Sequence, residues 1–160
     1  HVVPFVKDRG VILERASLAL TIFGVGTIIG RLLLGIAADR LGTMRIFWAC
    51  QIVQLVALTW ILTGPSLSTL YSLLLWFGVG AAGSDTTVVK GSAEVFGTRA
   101  IGAIMGVLSF GWRCGAALGP AAAGFIYDAT GSYTIALGLA SAGLVASMIF
   151  FTLGMLPIRH

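Results

Sequence analysis

Three ionisable side chains stand inside long apolar runs: Arg31, Asp85 and Arg113. A charge at the centre of a bilayer costs roughly 2.5–3.5 kcal/mol on insertion scales, so such residues face a cavity or a partner. Arg113 lies 13 residues beyond Ala100, about 20 Å along a helix and beyond easy snorkelling. Its helical face includes Gly102, Gly106, Ser109, Ala117 and Pro120, small and partly polar rather than lipid-like. That setting suits anion binding, with a structural ion pair as the alternative. Arg31 lies seven residues before Ala38, about 10 Å in. It shares a face with Gly24, Thr27, Gly35 and Ala38, and solute contact and a structural role stand level for it. A guanidinium suits a carboxylate because it offers a planar, permanently charged fork. Asp85 could pair with Arg113 or with Arg31, or carry a proton. The residues expected to bind a solute are therefore Arg113, Arg31, Ser109 and Thr27, with Asp85 as the ion-pair or proton-coupling group.

These residues need helices to hold them. Of 160 residues, 58% are hydrophobic and only 10% charged, against about 25% charged in a soluble domain. A water-soluble globule, a disordered chain and a nucleic-acid-binding module are excluded. Five segments reach the length of about 20 apolar residues that a spanning helix needs. They run over about 17–38, 45–63, 68–89, 100–127 and 133–155. All are too continuously apolar for the alternating strands of a membrane barrel. The fold class is an all-α polytopic membrane protein, a single membrane domain over 1–160. Gly64-Pro65-Ser66 and Asp128-Ala129-Thr130-Gly131-Ser132 supply turns.

Loop charges orient the chain. Loops 39–45 and 90–99 and the C-terminus carry Arg40, Arg45, Lys90, Arg99 and Arg159, while loops 64–67 and 128–132 carry no basic residue. The positive-inside rule puts the first set in the cytoplasm. Segment 1–16 carries Lys7, Arg9 and Arg15 on the opposite side, against that bias. Localisation is expected in a plasma (bacterial inner) membrane, with the lipid bilayer as partner. Trp48, Trp60, Tyr71, Tyr127 and Tyr133 fall near span ends, as interfacial aromatics do.

The glycines have packing reasons. Gly111, Gly115 and Gly119 form a ridge on one face of the fourth span, and Gly26 and Gly30 a shorter one on the first. Small residues at four-residue spacing allow backbones to approach closely. Pro120 removes a backbone donor and is expected to kink its helix. Cys50 and Cys114 read as small buried hydrophobes. No metal-ligand spacing and no cofactor motif is present.

The run Gly35-Ile-Ala-Ala-Asp39-Arg40-Leu-Gly42-Thr-Met-Arg45 resembles the signature loop of the major facilitator superfamily. Glu94-Val-Phe-Gly-Thr-Arg99 with Gly102 is similar to that family's segment before helix eleven. Gly115-Ala-Ala-Leu-Gly119-Pro120, continuing to Tyr133, is similar to helix eleven and the next loop in its monocarboxylate and oxalate-formate branch. The resemblance implies helices eight to twelve of a twelve-helix transporter, five helices of a six-helix half. Segment 1–16 would then be the end of helix seven and an outer loop. The chain would be a fragment whose partner is the N-terminal half of the same protein.

The resemblance also implies roles. Gly35, Asp39, Arg40, Gly42, Arg45, Glu94 and Arg99 would form a conformational latch in which a carboxylate meets an arginine. Separate solvated loop charges are the alternative. Arg31 matches the helix-eight arginine that the branch uses for substrate carboxylate. Thr27 stands where animal monocarboxylate carriers have an aspartate. The expected function is secondary active transport of a small organic anion by alternating access, coupled to protons or to counter-anion exchange. A carrier for a neutral or cationic solute, and a non-transporting sensor, are the alternatives. A membrane enzyme is disfavoured, since no Ser/His pair, intramembrane histidine or paired carboxylates stand in one segment.

Overall fold

A computed structural model describes residues 13–63, 66–131 and 134–156. Of segment 1–16, expected to hold the end of helix seven and an outer loop, residues 1–12 lie outside the described residues, as do the Gly64-Pro65 turn, Tyr133 and Arg159, while residues 13–16 open the first helix instead. Five α-helices follow in order: α1 (Leu13–Leu41), α2 (Thr43–Leu62), α3 (Leu67–Phe96), α4 (Ile101–Thr130) and α5 (Thr134–Met155). No strand occurs among the described residues. Every helix is long and apolar enough to cross a membrane, and an apolar run in lipid must bond its own backbone, which a helix does.

Helix ends follow local chemistry. α1 and α2 are joined by one residue, Gly42, at φ +93° and ψ 140°. Only glycine adopts that region without strain, so the signature-loop glycine makes the reversal possible. Ser66 caps α3, its hydroxyl accepting from the Thr69 amide. α3 stops at Gly97, again at positive φ. It therefore continues seven residues beyond the expected end at Val89, and Lys90 and Glu94 ride on its last two turns instead of a loop. A helix that outlasts the apolar layer carries charge freely on its protruding turns. α4 runs through Pro120 without interruption.

α3 is the hub. α1 packs along it in parallel, and α2 packs along it in the opposite sense. On the α1 side, Gly26 lies against the Leu75 backbone, Gly30 against the Val79 backbone, and Leu34 covers Gly83. The residue numbers differ by 49 at each of these three successive turns. Gly78 reciprocates, receiving the Phe23 backbone. On the α2 side, Gly80 and Gly83 of α3 meet Cys50 and Gln54. α5 packs on α2, where Phe47 and Phe151 stack with ring centroids 3.9 Å apart and the Trp48 indole donates to Thr152 Oγ1 at 3.1 Å.

α4 differs. It touches α3 and α5 lightly and buries none of its residues. An added Cβ at Gly111, Gly115 or Gly119 would meet nothing within 4 Å. The short ridge on α1 lies against the α3 backbone. The longer ridge on α4 has no neighbour among the described residues, because a small-residue face permits contact but does not itself supply what lies opposite.

Candidate functional site

The parallel register of α1 and α3 sets the site. It brings Arg31 level with Asp85, Nη2 to Oδ2 at 3.9 Å. Of the two partners open to Asp85 in the sequence, α1 supplies the one it meets. The separation is too long for a hydrogen bond and leaves a Coulombic contact. The side chains stay 69% and 51% exposed, so the pair looks out of the bundle instead of being sealed within it. A charged pair exposed at membrane depth needs a polar cavity or a further protein face beside it.

Thr27, one turn before Arg31, is half-buried and its hydroxyl donates to the Gly24 carbonyl at 2.7 Å. This back-bond holds it to its own helix. Ser109 and Arg113 on α4 are exposed. Two ion pairs occur among the described residues, and neither includes Arg113. α4 therefore presents its arginine separately from the Arg31–Asp85 pair.

A second charged contact lies at the end of the bundle holding the Gly42 turn. Lys90 Nζ donates to Asp39 Oδ1 at 2.6 Å, and Thr43 Oγ1 donates to Glu94 Oε1 at 2.6 Å. Both fasten the last turns of α3 to the α1–α2 turn. The partners that Asp39 and Glu94 meet are Lys90 and Thr43, not an arginine. The extra helical turns of α3 carry Lys90 level with Asp39. Arg40, Arg45 and Arg99 are exposed and stand outside both ion pairs. Gly35 approaches only the Thr86 methyl, at ordinary contact distance. Because Asp39 is 71% exposed, the pair is worth under about 1 kcal/mol. Lys90→Ala should lower the thermal midpoint of the purified full-length protein by no more than about 4 °C. A larger drop would mean that another part of the protein buries the pair.

One cavity of about 590 Å³ lies at the opposite end, where α4 stands off the other helices. Phe23, Leu58, Phe77, Pro120, Ile126 and Leu137 are among its lining residues. None of Arg31, Asp85 or Arg113 lines it, so this apolar space and the ionisable groups are separate.

A polar cluster inside the bundle was not singled out in the sequence. Gln51 and Gln54 of α2 are 3% and 5% exposed. Gln54 Nε2 donates to Gln51 Oε1 at 3.0 Å and to Ser84 Oγ of α3 at 2.9 Å. Gln51 Nε2 donates to Ser147 Oγ of α5. Two amides one turn apart in an apolar span were the available signal. They carry no charge, so insertion cost does not mark them as it marks the three ions.

Residues 2–159 match the family model described as Major Facilitator Superfamily. Among curated proteins, the chain is 29% identical over 154 residues to mouse "Monocarboxylate transporter 12", covering 93% of this chain and 32% of that protein. It is 29% identical over 141 residues to "Uncharacterized MFS-type transporter YcxA" of Bacillus subtilis, covering 84% and 34%. The Xenopus laevis "Monocarboxylate transporter 12" is 26% identical over 159 residues, covering 96% and 34%. The chain thus spans about a third of the length of the curated relatives it matches. No solved structure matches.

Proposed function

The chain belongs to the major facilitator superfamily, and from that membership we propose that the whole protein carries a small organic anion, of monocarboxylate type, across the membrane by alternating access. The observation that carries this reading is the Arg31–Asp85 contact. It places a guanidinium at membrane depth, 3.9 Å from its counter-ion and largely exposed. Such a guanidinium is held in place without being saturated. An incoming carboxylate competes with Asp85 for the same fork and offers the bidentate geometry that the 3.9 Å contact lacks. Asp85, once released, is the group available to take a proton, which would link anion entry to proton entry.

Three further observations support the reading. Arg113 supplies a second exposed guanidinium at membrane depth, on the lightly packed helix α4. Two of the relatives described above are named for monocarboxylate transport. Thr27 is not acidic, yet a carboxylate still reaches Arg31, from α3 rather than from α1.

The rest of the path, and the opposite wall of the site, belong to the other half of the protein. The Asp39–Lys90 and Thr43–Glu94 contacts act on the cytoplasmic side as part of the latch, in line with the loop charges. No covalent chemistry takes part. One observation favours a second reading, a neutral solute: Asp85 already offsets the charge of Arg31.

The test is counterflow in proteoliposomes holding the full-length protein, with a panel of labelled carboxylates. Wild type should exchange at least one of them. Arg113→Gln should reduce that exchange about tenfold or more at unchanged protein level, the scale for a lost charge-assisted contact of about 1.5–3 kcal/mol. Exchange that survives the substitution would assign recognition to Arg31 or the other half. No exchange of any carboxylate, with exchange of an uncharged solute, would overturn the anion reading.

A further inference from the structure

We propose that Gln51 and Gln54 are positioning residues for the Arg31–Asp85 pair, setting the rotation of α3 so that Asp85 faces α1. The inference rests on the reading of that pair as the working element of the site.

Ser84 and Asp85 are consecutive on α3 and so point about 100° apart around its axis. Asp85 turns to α1 and meets Arg31. Ser84 turns to α2 and accepts from Gln54 at 2.9 Å. Fixing the direction of one side chain fixes the other.

On the α2 side the fixing comes from hydrogen bonds, because the contact surface there is lined by glycine. Around Ser84, α3 meets α2 through Gly80 and Gly83. These glycines allow a close approach, but they have no side chain to catch in a groove and stop rotation. Hydrogen bonds are directional. Gln54 bonds to Ser84 and Gln51 together, and Ser84 also reaches Gln51 Oε1 at 3.5 Å. Gln51 is tied in turn to Ser147 on α5. Ser147 is anchored by its own bond to the Leu144 carbonyl at 2.8 Å. The cluster therefore braces α3 against two helices at the level of the pair.

The geometry makes the pair sensitive to this brace. A side-chain tip lies about 5–6 Å from its helix axis, so a 30° turn of α3 moves the Asp85 carboxylate by about 3 Å. Added to a separation of 3.9 Å, that displacement takes the carboxylate out of direct contact with the guanidinium as it is placed.

The experiment is a double-mutant cycle on the full-length protein in proteoliposomes, read as counterflow of a labelled monocarboxylate. Gln54→Leu keeps the volume and removes the amide. Ser84→Ala removes the other end of the bond with minimal loss of packing, and serves if the leucine variant folds poorly. Either variant should weaken half-saturation about tenfold or more, as small misplacements of a binding group do. The same change made in an Asp85→Asn background should have no further effect. A merely structural role would lower activity equally in both backgrounds.

A second measurement needs no solute. Spin labels at positions 36 and 89, both exposed in the native chain as Ile36 and Val89, report the α1–α3 distance by pulsed electron resonance. Gln54→Leu should shift or broaden that distance. An unchanged distance with equal losses in both backgrounds would overturn the positioning role. If Asp85→Asn alone leaves counterflow untouched, the reading of the pair falls. The distance measurement then still decides whether the amides hold α3.

Discussion

Gly30→Ala should lower the thermal midpoint of the full-length protein by several degrees, while Gly24→Ala in the same helix should leave it unchanged or raise it slightly. A methyl at Gly30 would run into the Val79 backbone, including its carbonyl oxygen, and backbone cannot swing aside as a flexible side chain can. Overpacking of this kind costs about 1–3 kcal/mol. At Gly24 an added Cβ meets nothing within 4 Å, so only the helix preference for alanine remains, about 1 kcal/mol in favour. The two substitutions are chemically identical and opposite in sign. Gly30→Leu should go further and leave little folded protein, because its side chain cannot fit where a methyl already collides. Fluorescence-monitored melting of detergent-purified protein distinguishes these outcomes. Equal shifts at both glycines would mean that α1 does not lie on α3 as described.

The second large effect concerns charge balance. Arg31→Gln should abolish carboxylate counterflow, Asp85→Asn should weaken its half-saturation about tenfold, and each should lower the amount of folded protein. Each leaves one charge uncompensated at membrane depth, a cost bounded by roughly 2.5–3.5 kcal/mol and reduced by whatever water reaches the site. The double variant Arg31→Gln/Asp85→Asn should recover folded protein, since no lone charge remains. It should not recover counterflow, because the guanidinium is gone. Abundance and flux then separate, which a purely structural ion pair would not produce. Counterflow restored in the double variant would reduce the pair to a structural role.

The five helices were legible because each is an apolar run of spanning length, and turn chemistry at Gly64-Pro65-Ser66 and around Gly131 marks where runs end. Their boundaries were less so. The charges of Lys90 and Glu94 read as loop, whereas α3 extends past them to Gly97. Charge signals the edge of the apolar layer, not the end of the helix. The three intramembrane ions were legible from cost alone, but pairing was not. Arg31 and Arg113 were equal candidates for Asp85, and only the α1–α3 register decides between them. The glycine ridges show the same limit. Spacing identified Gly26/Gly30 and Gly111/Gly115/Gly119 alike, yet only the first pair has a backbone against it among the described residues. Gln51 and Gln54 were overlooked because an amide announces itself less than a charge, although buried amides are nearly as demanding of partners.

The contact of α1 with α3 has one further property. Gly26, Gly30 and Leu34 face positions 75, 79 and 83, and the last of these is glycine. Sliding α1 by one turn in either direction offers no second seat. One slip would carry Leu34 to the place of Gly30, against the Val79 backbone. The other would carry Ile22 to the place of Gly26, against Leu75. Small faces large at each level like the cuts of a key, and only one depth of insertion turns the lock. The height of Arg31 relative to Asp85 is inherited from that single solution.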